Sequence, residues 1–386
     1  MSWARTGAFA LIASAVLLAC TFTRSLDYLQ EGQTVPEGGA STSSSSSSGM
    51  TSGSSGSTDD TFNPDLPPAG DVLASEQLNP ASLLQDADNL YWVTEDNKVM
   101  KVAKAGGAAK QLTALPGAER SQISTMTIDP SPGGNLYLVI AGAVKTLSRE
   151  GGAPADFLPA PVGASIYEIL ADETSLFVLG ATDEDDTTVL TRYPKGNAAG
   201  GVVLSRPASA GDTGPGALAT FGSDIYWSTY DINGVQVLNE LPKTAASGTP
   251  PVATWKNTGR NADKEPAGVN ALNRFELAID QDAIYWVDSS YFLPYRLARS
   301  SPVAETAPLF GEKVASALSV TVDAQTIYVL AKDRIVALQK SDTGKRVHIN
   351  SEKTGTMILA DDKALYYVFL GSDSAKASGG IRRVKK

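Results

Sequence analysis

The stretch DADNLYWVTEDNKVMKVAKAGG, residues 86–107, indicates the fold, because the pattern of its phrase NLYWV recurs along the chain. That phrase is a run of five residues with an aromatic ring at its centre and turn-forming residues nearby. Seven such phrases occur, and their central aromatic residues lie 38 to 59 residues apart. Repeats of about 40–50 residues are typical of the blades of a β-propeller. The central aromatic residues are Tyr91, Tyr137, Phe177, Tyr226, Tyr285, Tyr328 and Tyr366.

Each phrase has the same kinds of neighbour along the chain. A short apolar segment that ends in an aspartate precedes it, as at residues 275–280, and an alternating segment follows it, as at residues 295–297. A glycine turn, such as Gly106 and Gly107, and a fourth short run complete the unit. Runs rich in Val, Ile and Tyr between Gly, Asp and Asn are typical of antiparallel strands. The sequence therefore predicts an all-β fold, a seven-bladed β-propeller over residues 70–386 with four antiparallel strands in each blade.

The repeated phrase is predicted to be the second strand of each blade. It is apolar almost throughout, which is typical of a strand that is buried on both faces. A single four-stranded sheet cannot bury both of its faces, whereas a ring of such sheets buries them all. We therefore interpret the repeated aromatic residues as core packing rather than as a ligand site. The aspartates that end the first strands, such as Asp280 and Asp323, recur too regularly for a site, and we expect them to cap turns by binding backbone amides.

The two ends of the repeat region complement each other. The last unit has three strands before Lys386, whereas the first has an extra apolar segment at residues 71–75. We expect Val72, Leu73 and Ala74 to supply the missing outer strand of the last blade, so that an N-terminal strand closes the ring and removes its open edge. The basic residues near the other end are expected to protect an edge and to aid solubility; they are Arg382, Arg383, Lys385 and Lys386.

The first 20 residues have the features of an export signal. Arg5 is their only charged residue, and the apolar run at residues 7–18 is shorter than the roughly 20 residues that span a bilayer as a helix. The run ends in LLAC at residues 17–20, which resembles the lipobox of bacterial lipoproteins. That resemblance implies a lipoprotein signal peptide over residues 1–19, cleavage before Cys20, and acylation of its thiol by a lipid such as palmitate.

Cys20 is the only cysteine of the chain, so an exported form has no partner for an internal disulfide. Lipidation accounts for this thiol, and an ordinary signal peptide with an incidental cysteine is the alternative. In the lipoprotein sorting rule, an aspartate after the lipidated cysteine retains the protein at the inner membrane. Thr21 occupies that place, so the resemblance implies a lipid-anchored protein of the cell envelope at the outer membrane. Residues 20–69 are rich in Ser and Gly and are predicted to form a disordered tether.

Some segments resemble the repeats of known propeller families. IYWSTYDING at residues 225–234 and IYWVDS at residues 284–289 are similar to the YWTD-type repeat of secreted and receptor propellers. Residues 337–345 resemble a repeat of the quinoprotein-type propellers, a class that includes an outer-membrane lipoprotein that assists barrel assembly. Both resemblances imply a propeller, and neither carries catalytic residues over to this chain.

Few residues of the chain are suited to catalysis or to metal binding. The only histidine, His348, falls in a predicted outer strand that faces solvent, which argues against a catalytic triad or a zinc site. Residues 183–186 are all acidic, but they lack the alternating ligands and the glycine of a calcium loop, so we interpret them as a solvated hairpin. The net charge of −10 argues against a nucleic-acid partner. The sequence thus predicts no catalytic residue, no metal and no cofactor.

The longest gap between two repeats indicates a candidate recognition surface. The excess lies at residues 256–273, a connection between two blades. In a propeller such connections share a face with the loops between second and third strands, and loops on a rigid scaffold often carry function. We predict that this face binds a ligand or partner, and a tolerated insertion without a function is the alternative. The predicted binding residues are Tyr230, Asp231, Arg260, Tyr291 and Phe292.

Three functions fit the sequence. The first is a non-catalytic binding or scaffolding module, a monomer that is anchored to the membrane through its lipid and binds an envelope protein or a glycan. The second is an enzyme of the calcium-dependent lactonase or hydrolase kind, with ligating carboxylates at the centre of the ring. The third is an outer-membrane assembly factor. We favour the first, because one histidine and no cluster of inward carboxylates argue against the second.

Overall fold

Every residue described below lies in one of the two units of the chain, Gly56–Lys386. All regular elements of the described part are β-strands, and no helix there is long and apolar enough to cross a bilayer. Residues 1–69, which include Cys20, lie outside the described part, so the lipid anchor and the tether stay predictions. The computed structural model describes residues 70–115, 123–182, 187–206, 216–230, 236–256, 277–288, 293–299, 317–331, 334–350, 355–370 and 379–386.

The first strand of the chain, β1 (Asp71–Gln77), belongs to the last blade. Blade 1 consists of β2 (Ala81–Gln85), β3 (Asn89–Val93), β4 (Lys98–Ala103) and β5 (Lys110–Ala114). Blade 2 consists of β6 (Ile123–Ile128), β7 (Leu136–Ile140), β8 (Ala143–Leu147) and β9 (Ala155–Leu158). Blade 3 consists of β10 (Ala164–Ala171), β11 (Ser175–Thr182), β12 (Thr188–Pro194) and β13 (Val202–Ser205).

The remaining blades follow in the same order. Blade 4 consists of β14 (Leu218–Phe221), β15 (Asp224–Tyr230), β16 (Gln236–Pro242) and β17 (Val252–Lys256). Blade 5 has three described strands, β18 (Ala278–Ile279), β19 (Ala283–Asp288) and β20 (Leu293–Ala298), and its predicted fourth strand falls in residues 300–316, outside the described part. Blade 6 consists of β21 (Ala317–Val322), β22 (Thr326–Ala331), β23 (Arg334–Gln339) and β24 (Asp342–Asn350). Blade 7 consists of β25 (Gly355–Ala360), β26 (Ala364–Phe369), β27 (Gly379–Lys385) and β1.

The seven sheets form one closed ring. The strands of a sheet lie in antiparallel order, so the first strand is one edge of the blade and the last strand is the other. The first strand of each blade lies beside the first strands of the two neighbouring blades, and this series returns from β25 to β2. The predicted all-β, seven-bladed propeller is confirmed, and the repeated phrase is the second strand of each blade.

The ring is closed by β1, as predicted. β1 pairs with β27, with Asp71 opposite Arg383 and Gln77 opposite Gly379. The strand is longer than the predicted three residues, because its pairing continues through two register irregularities. The prediction that the basic residues near Lys386 protect an edge is wrong, because β27 lies between β26 and β1 and is not an edge strand.

Apolar clusters fill the interfaces between the blades, and the described residues form one cluster at each interface. Alternate residues of a second strand point to opposite interfaces. In blade 1, Tyr91 packs against blade 2, whereas Leu90 and Trp92 pack against blade 7. Tyr91 and Trp92 are both 0% exposed, which confirms that the aromatic phrase is core and explains why it is apolar on both faces.

The inner edges of the first strands face the axis and have no further strand to pair with. Side chains of the preceding blade satisfy some of their amides instead. The Ala171 amide donates to Thr127 Oγ1 at 3.2 Å, and the Ile358 amide donates to Ser319 Oγ at 3.2 Å. Because each unpaired buried amide costs free energy, these contacts help to hold neighbouring blades together at the axis.

Candidate functional site

The aspartate at the end of a first strand caps the turn that follows it. One oxygen of Asp280 accepts hydrogen bonds from the amides of Asp282 at 2.8 Å and Ala283 at 2.7 Å. Asp86 binds the amides of Asp88 and Asn89 in the same way, at 2.9 and 2.7 Å. The predicted capping role is therefore confirmed, and its cause is the preference of aspartate for turns in which it binds its own backbone.

The other oxygen of the aspartate accepts a hydrogen bond from the aromatic residue of the repeated phrase. This tyrosine lies five residues further on, and its hydroxyl lies 2.7 to 3.1 Å from the carboxylate. The tyrosine ring is buried in the interface with the next blade, so the hydrogen bond fixes the aspartate carboxylate beside that interface. The pairs are Asp86 with Tyr91, Asp280 with Tyr285, Asp323 with Tyr328, and Asp361 with Tyr366.

A lysine or arginine from the next blade completes each group. It follows the third strand of that blade by one or two residues, at a position where seven basic residues recur along the chain. Asp361 lies 2.9 Å from Lys104, and Asp172 lies 3.3 Å from Lys243. We call the whole set of these groups the girdle. Its other ion pairs are Asp86 with Arg149, Asp129 with Lys195, Asp280 with Lys340, and Asp323 with Lys386.

Blade 4 departs from this pattern, and a tyrosine compensates for the change. Phe221 stands where the other blades have the aspartate, and the Arg299 guanidinium lies over its ring at 4.7 Å from the centroid. Arg299 also donates to the hydroxyl of Tyr226 at 3.0 Å, and that hydroxyl donates to Glu240 at 2.9 Å. The Asp224 carboxylate lies 3.9 Å from Arg299, so this group has two negative charges in place of the aspartate, Asp224 directly and Glu240 through the hydroxyl.

The girdle shifts the pKa values of its members in opposite directions. Burial alone raises the pKa of Asp361, but the hydrogen bonds from Lys104 and from the amides of Lys363 and Ala364 outweigh it and lower the pKa to about 2. Asp323 has its pKa lowered to about 2 in the same way, chiefly by Lys386. Burial and the neighbouring aspartates raise the pKa of Tyr328 and Tyr366 to about 12. The lowered aspartate pKa means that the charged carboxylate is favoured, and the raised tyrosine pKa means that the neutral hydroxyl is favoured.

The girdle is suited to holding blades together rather than to chemistry. Its acidic and basic groups are paired with each other across every interface that has the aspartate. Over the described ranges, no group of three or more His, Cys, Asp or Glu residues could hold a metal ion. Sequence reasoning found the aspartates but missed the cations, although the regular return of a basic residue after each third strand was a usable signal.

The strand directions divide the ring into two faces. The turns with the aspartates and the turns that begin with the cations lie on one face, which we call the girdle face. The loops between second and third strands and the connections between blades lie on the other, the loop face. β1 starts on the girdle face, because Asp71 binds Arg383 and Arg383 also donates to the carbonyl of Lys104. The chain therefore leads into the ring from the girdle face.

The predicted binding residues belong to the loop face. Tyr230 is the last residue of β15 and lies opposite Gln236 in the register. β19, which ends at Asp288, packs beside β15 through Trp286 and Tyr226. The loops that follow these two strands therefore leave the loop face from neighbouring blades. The other predicted binding residues lie outside the described residues; they are Asp231, Arg260, Tyr291 and Phe292.

Two further predictions concern single segments. His348 lies in β24, the outer strand of blade 6, opposite Val336, as predicted. The acidic run at residues 183–186 lies outside the described residues and connects β11 to β12, so the solvated hairpin stays a prediction.

Comparisons with known proteins support the fold. No protein-family model matches the chain, and no curated protein matches it. The chain is similar to the structure of Ycf48 bound to D1 peptide, with 12% identity and a TM-score of 0.54 over 84% of this chain and 98% of that one. It is also similar to the extracellular domain of BT4673, a hybrid two-component system from B. thetaiotaomicron, with 11% identity and a TM-score of 0.53 over 82% of this chain and 39% of that one.

A third similar structure is PorZ, a bacterial surface component of the type-IX secretion system of Porphyromonas gingivalis. It shows 13% identity and a TM-score of 0.50 over 83% of this chain and 38% of that one. At these identities the likeness shows the fold alone, and it confirms the β-propeller. The finer resemblances to YWTD-type and quinoprotein-type repeats stay predictions.

Proposed function

We propose that this protein is a lipid-anchored propeller of the cell envelope that acts as a non-catalytic binding or scaffolding module. Its lipid is carried by Cys20, and its partner is an envelope protein or a glycan. The partner binds on the loop face, at a surface formed by Tyr230, Asp231, Arg260, Tyr291 and Phe292.

The observation that carries this proposal is the division of the ring into two faces. The girdle face holds the paired charges, whose partners are already within the protein, and it also receives the chain from the predicted tether. The loop face carries connections of unequal length, such as residues 206–217 and 257–277. A rigid ring that presents variable loops away from its point of attachment is suited to recognition.

The structural neighbours support the proposal at the level of the fold. Ycf48 is a propeller of similar size whose structure was solved with a bound peptide. PorZ is a component of the bacterial surface. A propeller ring of this kind thus serves as a peptide-binding body in one protein and as an envelope component in another, which are the two parts of the function proposed here.

A photo-crosslinking experiment tests the choice of face. A photoreactive phenylalanine analogue replaces Tyr230 on the loop face or, as a control, the exposed Asp362 on the girdle face. We expect adducts with an envelope protein or glycan from position 230 in intact cells and few from position 362. The double variant Tyr291→Ala with Phe292→Ala should reduce the adducts without changing the melting temperature. Equal labelling from both faces, or adducts from position 362 alone, would overturn the proposed surface.

The lipid anchor is tested separately. Cys20→Ser should abolish incorporation of labelled palmitate and release the protein from the membrane fraction, because acylation of this thiol supplies the membrane affinity. Retention of the variant in the membrane would overturn the anchor while leaving the binding surface to be judged by crosslinking.

A further inference from the structure

The interface between blades 7 and 1, which we call the seam, has an unusual backbone. Non-glycine residues rarely adopt positive φ, yet Glu76, Asn79 and Ser82 have φ values of 57°, 39° and 53°. Apart from glycines, the described residues have only two other positive φ values, at Asn97 and Ala141. Backbone conformations of this kind cost free energy and persist only where the surrounding structure holds them. The segment that leads from blade 7 to blade 1, from the end of β1 into β2, thus contains three of the five positive φ values among the described non-glycine residues.

The seam also contains a sulfur atom where another interface has a hydroxyl. The amide of Leu83 on β2 donates to Met357 Sδ on β25 at 3.1 Å. At the interface between blades 6 and 7, the amide of Ile358 donates to Ser319 Oγ at 3.2 Å. Ser319 and Met357 both lie four residues before the capping aspartate of their blade, so the two contacts are equivalent. A thioether is a weaker acceptor than a hydroxyl and, unlike a hydroxyl, it is readily oxidised.

Met357 is also the most accessible of the described methionines. It is half-buried on the innermost strand of blade 7 and packs against the apolar cluster of the seam. Met100 and Met126 are only 9% and 4% exposed. Oxidation of methionine depends on access to the sulfur, so Met357 is the methionine of the described ring that an oxidant reaches first.

We propose that Met357 is a site of reversible oxidation by hydroperoxides and that its oxidation loosens the seam. The thioether sulfur attacks the terminal peroxide oxygen, so that an S–O bond forms and the O–O bond breaks. The departing alkoxide or hydroxide takes up the proton that the transferred oxygen loses, and it leaves as an alcohol or water while the sulfur becomes a neutral sulfoxide. The sulfur is oxidised by two electrons and the peroxide is reduced by two. This inference does not depend on the proposed function.

The geometry explains why a sulfoxide does not fit the seam. The Leu83 nitrogen already lies 3.1 Å from the sulfur, whereas an N–H···O hydrogen bond alone takes about 2.9 Å. A sulfoxide oxygen between the two atoms therefore pushes β2 and β25 apart. If the oxygen turns away from the amide instead, the Leu83 N–H loses its acceptor, because the electron-poor sulfur of a sulfoxide accepts hydrogen bonds poorly. Either outcome weakens the contact between the first and last blades.

The test is a time course with hydrogen peroxide on the folded full chain, followed by peptide mass mapping. We expect Met357 to be oxidised several-fold faster than Met126 and faster than Met100, because exposure favours oxidation. Oxidation should lower the melting temperature and accelerate hydrogen exchange at the Leu83 amide. A methionine sulfoxide reductase with a dithiol should restore both properties.

Matched variants distinguish the effect of oxidation at Met357 from the effect of oxidation elsewhere in the protein. Met357→Leu should make the melting temperature insensitive to peroxide, whereas Met126→Leu should leave its sensitivity unchanged. The proposal is overturned if Met357 is oxidised no faster than Met126. It is also overturned if complete oxidation of Met357 changes neither the melting temperature nor the exchange of the Leu83 amide.

Discussion

At the scale of the residue, a single aspartate of the girdle has a local and a distant role. One oxygen of Asp280 binds two amides of its own turn, and the other binds Tyr285 and the Lys340 ammonium of the next blade. The first contact shapes the turn, and the second fixes the position of one blade relative to another. A carboxylate is needed because no neutral side chain of this size accepts all four donors.

The variant Asp280→Asn separates these roles. An asparagine keeps one oxygen for the turn but loses the charge that binds Lys340. We expect the free energy of unfolding to fall by about 1–3 kcal/mol, as for other hydrogen bonds to charged groups. Urea unfolding measures the loss. The exposed neighbour Asp282→Asn is the control and should change the free energy by less than about 0.5 kcal/mol. Equal losses in both variants would mean that the ion pair contributes nothing.

A second variant adds a missing part of the girdle. Phe177 stands where most blades have the tyrosine, five residues after Asp172, and it is 0% exposed. Phe177→Tyr would place a hydroxyl beside the Asp172 carboxylate, so we expect the free energy of unfolding to rise by about 0.5–1 kcal/mol. Thermal and urea unfolding measure the gain. A loss of stability would show that the interface between blades 3 and 4 has no room for the hydroxyl.

Only part of the girdle was predictable from the sequence. The capping role of Asp280 follows from local turn chemistry, and it was predicted. The bond to Lys340 joins residues of different blades, and Lys104 and Asp361 are 257 residues apart along the chain although they are in contact. Such a contact depends on which blade follows which in space, and residue types alone do not show it. The position of each cation after a third strand was nonetheless visible as a repeat.

At the scale of the element, a small number of side chains fix the outer strand β1 to the rest of blade 7. Leu73 and Ala74 are buried, whereas Val72 is 47% exposed. Two arginines of β27 hold its beginning, because Arg382 donates to the Gly70 carbonyl and Arg383 pairs with Asp71. Gly70 is required there, since a Cβ would lie 2.1 Å from the Arg383 carbonyl oxygen. The closing strand is thus fixed by one apolar contact region and one charged one.

A matched pair of variants measures the apolar part of this closure. Leu73→Ala should lower the free energy of unfolding by about 2–4 kcal/mol, because it leaves a cavity at the seam. Val72→Ala should lower it by less than about 1 kcal/mol, because the valine side chain is largely in solvent. Urea denaturation of both variants checks the difference. Similar losses would indicate that backbone pairing, rather than Leu73, holds β1.

The sequence predicted the position of the closing strand well, but it predicted the role of the basic residues of β27 wrongly. The prediction identified residues 72–74 as the closing strand, and the structure extends it to Asp71–Gln77. The basic residues of β27 were interpreted as edge protection, because the sequence does not show that a distant segment covers them. The opposite-charge contact of Arg383 with Asp71 was the clue to their actual role.

At the scale of the whole molecule, the girdle couples stability to pH. Asp323 and Asp361 have pKa values lowered to about 2 from an ordinary 3.8, so their contribution is present above pH 3.8 and is lost as the pH falls towards 2. Tyr328 and Tyr366 have pKa values raised to about 12 from 10, so theirs is present below pH 10 and is lost as the pH rises towards 12. The girdle therefore stabilises the ring across the neutral range.

This linkage predicts a steep loss of stability in acid. Urea unfolding midpoints should stay level from pH 7 to about pH 5 and fall between about pH 4 and pH 2. Asp323→Asn should start from a lower midpoint at pH 7 and show a shallower fall, because one titrating carboxylate is gone. A wild-type midpoint that is the same at pH 2.5 and pH 7 would contradict a stabilising role for these carboxylates.

The whole ring was more predictable than the recognition surface. Seven apolar phrases at blade spacing determine the number of sheets, because each sheet must bury both faces. Four of the five predicted binding residues belong to loops, and Tyr230 ends a strand. These residues do not recur from blade to blade, so no repeat predicts where their side chains lie.

Blade 7 combines β1, made at the start of the ring, with three strands made at its end. During synthesis, Leu73 and Ala74 therefore have no β27 to pack against until the end of the chain has been made. Blades 1 to 6 can form in order during translation, because each consists of consecutive strands. Blade 7 can form only when both ends of the repeat region have been made. A chain that ends before Gly379 would leave the ring open, with an unpaired strand on each side of the gap. Such strands are exposed to proteases and can pair with other incomplete chains.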